Sequence, residues 1–182
     1  MSGKEFLLVI LGAVLADNLV FEGFMGLPAV LGEEKCSKKA LFTGLWVAVI
    51  MLLSQAIFYP VAQLLAAKSM GYLSELAAAA IILALVYVGK LIVPEKMGDG
   101  FVLVALNSAV LGLCLMSMTE DTGYAGAMIK ALGAALGFLA AELLFAGIRS
   151  RIDEKQVPAP FRGTPVLLLA AAILAMALSA YK

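Results

Sequence analysis

The chain has 182 residues and a mass of 19.0 kDa; 63% of its residues are hydrophobic, 14% are charged, and its mean hydropathy is +1.03. A soluble domain averages about 45–50% apolar and about 25% charged residues, which excludes that class. Thirteen basic and thirteen acidic side chains cancel, and there is no histidine. This removes nucleic-acid binding by a basic surface, histidine acid–base chemistry and histidine metal sites. The two cysteines make neither a disulfide framework nor, alone, a complete zinc or iron–sulfur ligand set.

A bilayer span takes about 20 predominantly apolar residues. With the charges as punctuation, six segments qualify: Phe6 to Gly32, Leu41 to Ala67, Tyr72 to Val93, Phe101 to Met118, Tyr124 to Ile148 and Pro165 to Tyr181. The links are short, so residues 1–182 read as one all-α polytopic membrane domain of six transmembrane helices. The first stretch follows a single lysine, Lys4, and leads to no small-residue cleavage site. It is therefore expected to be a retained helix and not a signal peptide. Orientation follows from the basic residues on alternate links. Lys35, Lys38, Lys39, Lys90, Lys96, Arg149, Arg151, Lys155 and Arg162, nine in all, fall on one side, and Lys4, Lys68, Lys130 and Lys182, four in all, on the other. Both termini are accordingly expected outside the cytoplasmic (inner) membrane of a bacterium or archaeon.

Segments one and four depart from ordinary spans. The first is 27 residues long and carries Asp17, Asn18 and Glu22, then Gly23, Gly26 and Pro28, a set poorly tolerated in a straight lipid-facing helix. The fourth carries Asn107 and Ser108 near its middle, then Gly112. Breaks are expected near residues 22–28 and 107–112. Interrupted segments at matching places in two three-helix halves indicate an inverted repeat, here about 1–95 and about 96–182, with the functional centre between segments one and four.

Val157-Pro158-Ala159-Pro160-Phe161-Arg162-Gly163 before the last span, preceded by Leu144-Phe145-Ala146-Gly147-Ile148-Arg149, resembles the A subunit of the bacterial Rnf complex. That protein is related to the E subunit of the sodium-pumping NADH:quinone oxidoreductase. The likeness extends through Asp17-Asn18-Leu19-Val20, Phe24-Met25-Gly26-Leu27 and Asn107-Ser108-Ala109-Val110-Leu111-Gly112, and covers nearly the whole chain. It implies six helices with inverted symmetry, a homologous six-helix partner, further Rnf/Nqr-type subunits, and a membrane complex coupling ferredoxin:NAD electron transfer to Na+ or H+ movement.

The resemblance also implies a [2Fe-2S] cluster that draws one cysteine from each half of this chain and two from the partner. The positions concerned are Pro28 and Ser108 here. Proline offers no donor atom, and a serine hydroxyl is a poor substitute for a soft thiolate. The expectation is that this chain binds no cofactor by itself. Cys114 reads as a small core hydrophobe and Cys36 as a free thiol in a cytoplasmic link.

Candidates for an ion path are Asp17, Asn18, Glu22, Asn107 and Glu142, because oxygen ligands and titratable carboxylates suit Na+ or proton transfer. Asn18 and Glu22, four apart, would share a helical face. The competing reading makes these acids structural, bonded to backbone at a break or paired with a neighbouring protein of the complex. Gln55, Gln63 and Glu75 read as interhelical hydrogen bonds or interface positions, Gly133 and Gly137 as a small-residue packing face that could seat a partner, and Arg149, Arg151 and Arg162 as headgroup anchors. A stand-alone secondary transporter or channel on the same scaffold, and a purely structural membrane subunit, remain alternatives to the Rnf-type subunit.

Overall fold

The computed structural model describes residues 12, 14, 18–31, 37–92, 107–119, 123–153 and 155–180. Its helices are α1 (Leu27–Val30), α2 (Ser37–Ala67), α3 (Ser74–Ile92), α4 (Ser108–Thr119), α5 (Tyr124–Arg151) and α6 (Thr164–Ser179). Among the described residues there is no strand. Among the described residues three stretches are long and apolar enough to cross a bilayer: Ala40–Ala67, Gly71–Leu91 and Tyr124–Arg151. Shorter apolar helices at Ser108–Met118 and Thr164–Ser179 occupy the places of segments four and six.

The pairing of α2 with α5 is the most extensive in the fold. The two run antiparallel: Gly44 lies against Leu139 and Glu142, and the Tyr59 and Tyr124 rings meet edge to face at 5.6 Å. Small side chains allow this approach. The face of α5 formed by Ala127, Ala131, Ala134, Ala135 and Ala141, together with Gly133 and Gly137, is buried inside the chain. The small-residue face is therefore used in internal packing, where close contact between backbones gains dispersion energy that apolar lipid cannot supply by hydrophobic exclusion. Helix α4 packs on α2 and α3, while Leu76, Leu83, Tyr87 and Leu91 of α3 and Ile173 and Met176 of α6 stay exposed, as suits lipid-facing helices.

Polar residues sit at the helix ends. Glu75 lies in the first turn of α3 and Lys90 in its last, and Arg149 and Arg151 close α5, each opposing the sign of the helix-end partial charge. Residues Val157–Gly163 form a compact bend before α6: Ala159–Phe161 is a single 3-10 turn, Phe161 N–H donates to the Pro158 carbonyl at 2.9 Å, and Arg162 Nε donates to the Val157 carbonyl at 2.9 Å. Gly163 then takes φ 79°, ψ −128°, and Pro165 enters the first turn of α6. That backbone region is essentially restricted to glycine.

Substitution Gly163→Ala should destabilise the fold by about 1–3 kcal/mol through backbone strain alone, since a Cβ there meets nothing within 4 Å. Thermal unfolding of the detergent-solubilised protein checks this, and an unchanged midpoint would show that the bend relaxes without loss.

Candidate functional site

The first segment is interrupted where its polar residues cluster. Residues 19–23 and 25–26 are turns, Phe24 (φ 50°) and Gly26 (φ 75°) are left-handed, and the backbone resumes as the one-turn helix α1 with Pro28 in its first turn. Proline suits that place because its missing N–H would have no intrahelical partner there. In the second half, α4 starts at Ser108 and continues without interruption through Gly112 to Thr119. From Ser108 through Gly112 the expected break is absent, and Gly112 is a helical packing position; Asn107 stands just before α4, and residues 101–106 lie outside the described residues.

The broken segment is fastened to the bundle at several points. Asn18 Nδ2 donates to the Val14 carbonyl at 2.8 Å and across to the Gly137 carbonyl of α5 at 3.1 Å, while its Oδ1 accepts the Val20 N–H at 2.9 Å. Gly26 N–H donates to Ser108 Oγ at 2.9 Å, joining the two half-helix starts. Arg149 Nη2 donates to the Val30 carbonyl at 2.9 Å, capping the far end of α1. Arg149 therefore does more than anchor a helix end at the headgroups: it satisfies a backbone acceptor that the break releases.

Close packing supports these bonds. A Cβ on Gly26 would lie 2.9 Å from both the Ala109 Cβ and the Phe138 ring, and a Cβ on Gly112 would collide with Met25 Sδ. Gly26 is needed for its left-handed backbone and for this approach, and Gly112 makes room for the Met25 thioether. The Phe21 and Phe145 rings stack at 6.0 Å beside the turn. Asn107 Oδ1 accepts the Val110 N–H at 3.1 Å and so caps α4. Its Nδ2 is buried without a hydrogen-bond partner among the described residues.

The predicted site residues do not converge on one point. Asn18 is buried at the interruption of the first segment and Asn107 just before α4, but Glu22 is exposed. Because residues 19–23 are turns, Asn18 and Glu22 do not share a helical face as their spacing suggested. Glu142 is buried on α5 across from Gly44. It stands about 7 Å along the helix from Gly137, at 1.5 Å per residue. Asp17 and Cys36 lie outside the described residues. Cys114 is fully buried, with the Ser54 hydroxyl near its thiol.

Pro28 and Ser108, the positions that the resemblance marks for cluster ligands, are both exposed on the chain's surface. The Pro28 ring has no donor atom, the Ser108 oxygen already accepts the Gly26 N–H, and Cys114 is enclosed in the bundle. No group of three or more His, Cys, Asp or Glu residues gathers among the described residues. These residues do not fit a [2Fe-2S] group, whose irons take soft thiolate ligands.

Sequence reasoning missed the Arg149 cap and read Gln55 as an interhelical hydrogen bond or an interface position. Gln55 is fully buried, yet neither Oε1 nor Nε2 has a partner among the described residues. Gln63 and Glu75 are exposed, in keeping with interface positions.

Ser108→Ala should lower stability by about 1–3 kcal/mol by leaving the Gly26 N–H without its acceptor. Ser108→Thr, which keeps the hydroxyl, should cost less, and Gly26→Ala should cost more than Ser108→Ala because strain and collision add. The order of the three melting temperatures in detergent checks the arrangement.

Over its length the chain is similar to known membrane proteins. A family model described as "Rnf-Nqr subunit, membrane protein" matches residues 6–182. The chain is 34% identical over 182 residues to the A subunit of the ion-translocating oxidoreductase complex of Syntrophotalea carbinolica, covering 96% of this chain and 94% of that protein. It is 34% identical over 177 residues to the A subunit of the Na(+)-translocating ferredoxin:NAD(+) oxidoreductase complex of Acetobacterium woodii, covering 93% and 92%. With the A subunit of the ion-translocating oxidoreductase complex of Vibrio cholerae the identity is 30% over 181 residues, covering 95% and 94%.

Proposed function

Because the chain belongs to the Rnf-Nqr family of membrane subunits, we propose that it serves as the A-type membrane subunit of an ion-translocating oxidoreductase complex without ligating a [2Fe-2S] cluster. The observation that carries this reading is the match to the A subunits of such complexes across nearly the whole of both chains. Its partners are the redox subunits of the complex and a homologous six-helix membrane protein, and the ion moved is Na+ or H+. The nine-to-four bias of basic residues supports a cytoplasmic-membrane orientation with both termini outside. Tyr59 and Tyr124 then mark the outer end of the α2–α5 seam.

Two features support service without cluster ligands. Pro28 has no donor atom, and Ser108 spends its oxygen on the Gly26 N–H. This chain's own residues then supply a fixed interruption in the membrane, closed by hydrogen bonds to α4 and α5. They also supply Glu142, a buried carboxyl on α5 suited to hold a proton or contribute an oxygen to a cation in transit.

Purification of the tagged chain from native membranes tests the assignment. Flavin- and NADH-binding subunits should copurify, and deletion of the gene should abolish ion-coupled electron transfer between ferredoxin and NAD. Isolation as a lone polypeptide would favour the stand-alone transporter. In the purified complex, a [2Fe-2S] EPR signal that disappears on mutating Cys36 or Cys114 would overturn service without cluster ligands. Pro28→Cys together with Ser108→Cys should be required before these positions take up iron.

If Glu142 lies on the ion path, Glu142→Gln should reduce ion uptake at least tenfold while the complex still assembles, because charge is removed with little change in shape. Uptake at the original rate would make the residue structural.

A further inference from the structure

Helix α2 buries one continuous stripe, Val47, Met51, Ser54, Gln55, Phe58 and Ala62, and Gln55 breaks its apolar character. Its side chain is 0% exposed, and both amide atoms lack partners among the described residues. Neighbouring Ser54 donates to the Met51 carbonyl at 3.0 Å and lies near the Cys114 thiol of α4, so the hydroxyl next to Gln55 already has a partner. A primary amide enclosed in a membrane protein without partners is strongly destabilising, since neither water nor lipid replaces the lost bonds.

The two orphaned atoms differ in sense, and this selects the ligand. Oε1 can only accept and Nε2 can only donate. A cation would satisfy Oε1 and leave the donor stranded, and an anion would do the reverse. Water both donates and accepts, and is small enough to enter a helical seam. Asn107 Nδ2 is a second buried donor without a partner among the described residues. Asn107 precedes Cys114 on α4, and Cys114 is level with Ser54, so the two orphaned amides stand about 10 Å apart along the bundle axis. About one turn beyond Gln55, toward the end proposed as outer, the Tyr59 and Tyr124 rings meet across α2 and α5.

We propose that Gln55 binds an internal water molecule, and that this water is a hydration station between Asn107 at the start of α4 and the Tyr59–Tyr124 end of the bundle. Its role in a passage rests on the ion-translocating reading above; the water site itself does not. The station re-solvates a proton or small cation after it leaves the interrupted centre, and the tyrosine pair stands over its outward side.

Silver ion, small and soluble, reacts with thiols only where water reaches. In the assembled complex carrying Cys36→Ser and Cys114→Ser, Gln55→Cys should react with Ag+ at least tenfold faster than Met51→Cys or Phe58→Cys. Those positions lie about a turn away on the same buried stripe. Equal rates would overturn the water site. Separately, Gln55→Leu should assemble with unchanged or raised thermal stability, because it removes the orphaned amide, and should lower ion uptake at least tenfold. Ag+ access combined with undiminished uptake by the leucine variant would overturn the passage. Absence of ion uptake by the unmodified complex would overturn the proposed function and leave the Ag+ result for the water site standing.

Discussion

A backbone that abandons its helix inside a bilayer must find protein partners for the N–H and C=O groups it releases, since lipid offers none. The interruption at residues 18–31 imposes that demand on the rest of the fold. Asn18 supplies a local acceptor to Val20 and a donor to Gly137, Ser108 accepts from Gly26, and Arg149 donates to Val30. Each partner outside the segment belongs to a helix, so the irregular stretch is held by regular ones. The small-residue face of α5 and the space at Gly26 and Gly112 follow from the same demand, because bonds of this length require close approach.

The described parts of segments one and four differ. In the former, a turn leads through two left-handed residues into a single helical turn; in the latter, α4 starts from an asparagine cap and runs straight. Where the helix starts meet, a serine hydroxyl forms a neutral hydrogen bond with a glycine N–H. The resemblance implies cluster-binding thiolates at the positions of Pro28 and Ser108. Here the Ser108 oxygen accepts a backbone N–H, and no formal charge resides on that bond.

Much of this was legible in the amino-acid sequence, for physical reasons. Asp17, Asn18, Gly23, Gly26 and Pro28 cannot all lie in a lipid-facing helix, so the first interruption followed from composition. Apolar stretches separated by charge gave the places of three long spans and two shorter apolar helices among the described residues. Gly112 misled because glycine marks either a break or a close contact, and only the Met25 side chain across from it decides which. The separation of Asn18 from Glu22 depended on where the helix ends, which spacing alone does not reveal. Arg149 looked like a headgroup anchor because its partner, the Val30 carbonyl, lies 119 positions away in the chain. A backbone acceptor leaves no mark in residue identity. Gln55 was recognised as polar in a span, but its lack of partners is a property of the packed bundle.

Two of the fastenings of the first segment, at Gly137 and Arg149, belong to α5 and are 12 residues apart on it, or about 18 Å along the axis at 1.5 Å per residue. That helix is a rigid rail with both ends of the loop bolted to it. Sliding α5 by even a fraction of a turn would carry Asn18 and Val30 together as one body. The Gly26–Ser108 bond, anchored on the separate helix α4, would then be the joint that yields. Displacement along the rail is thus opposed by a bond to a different helix.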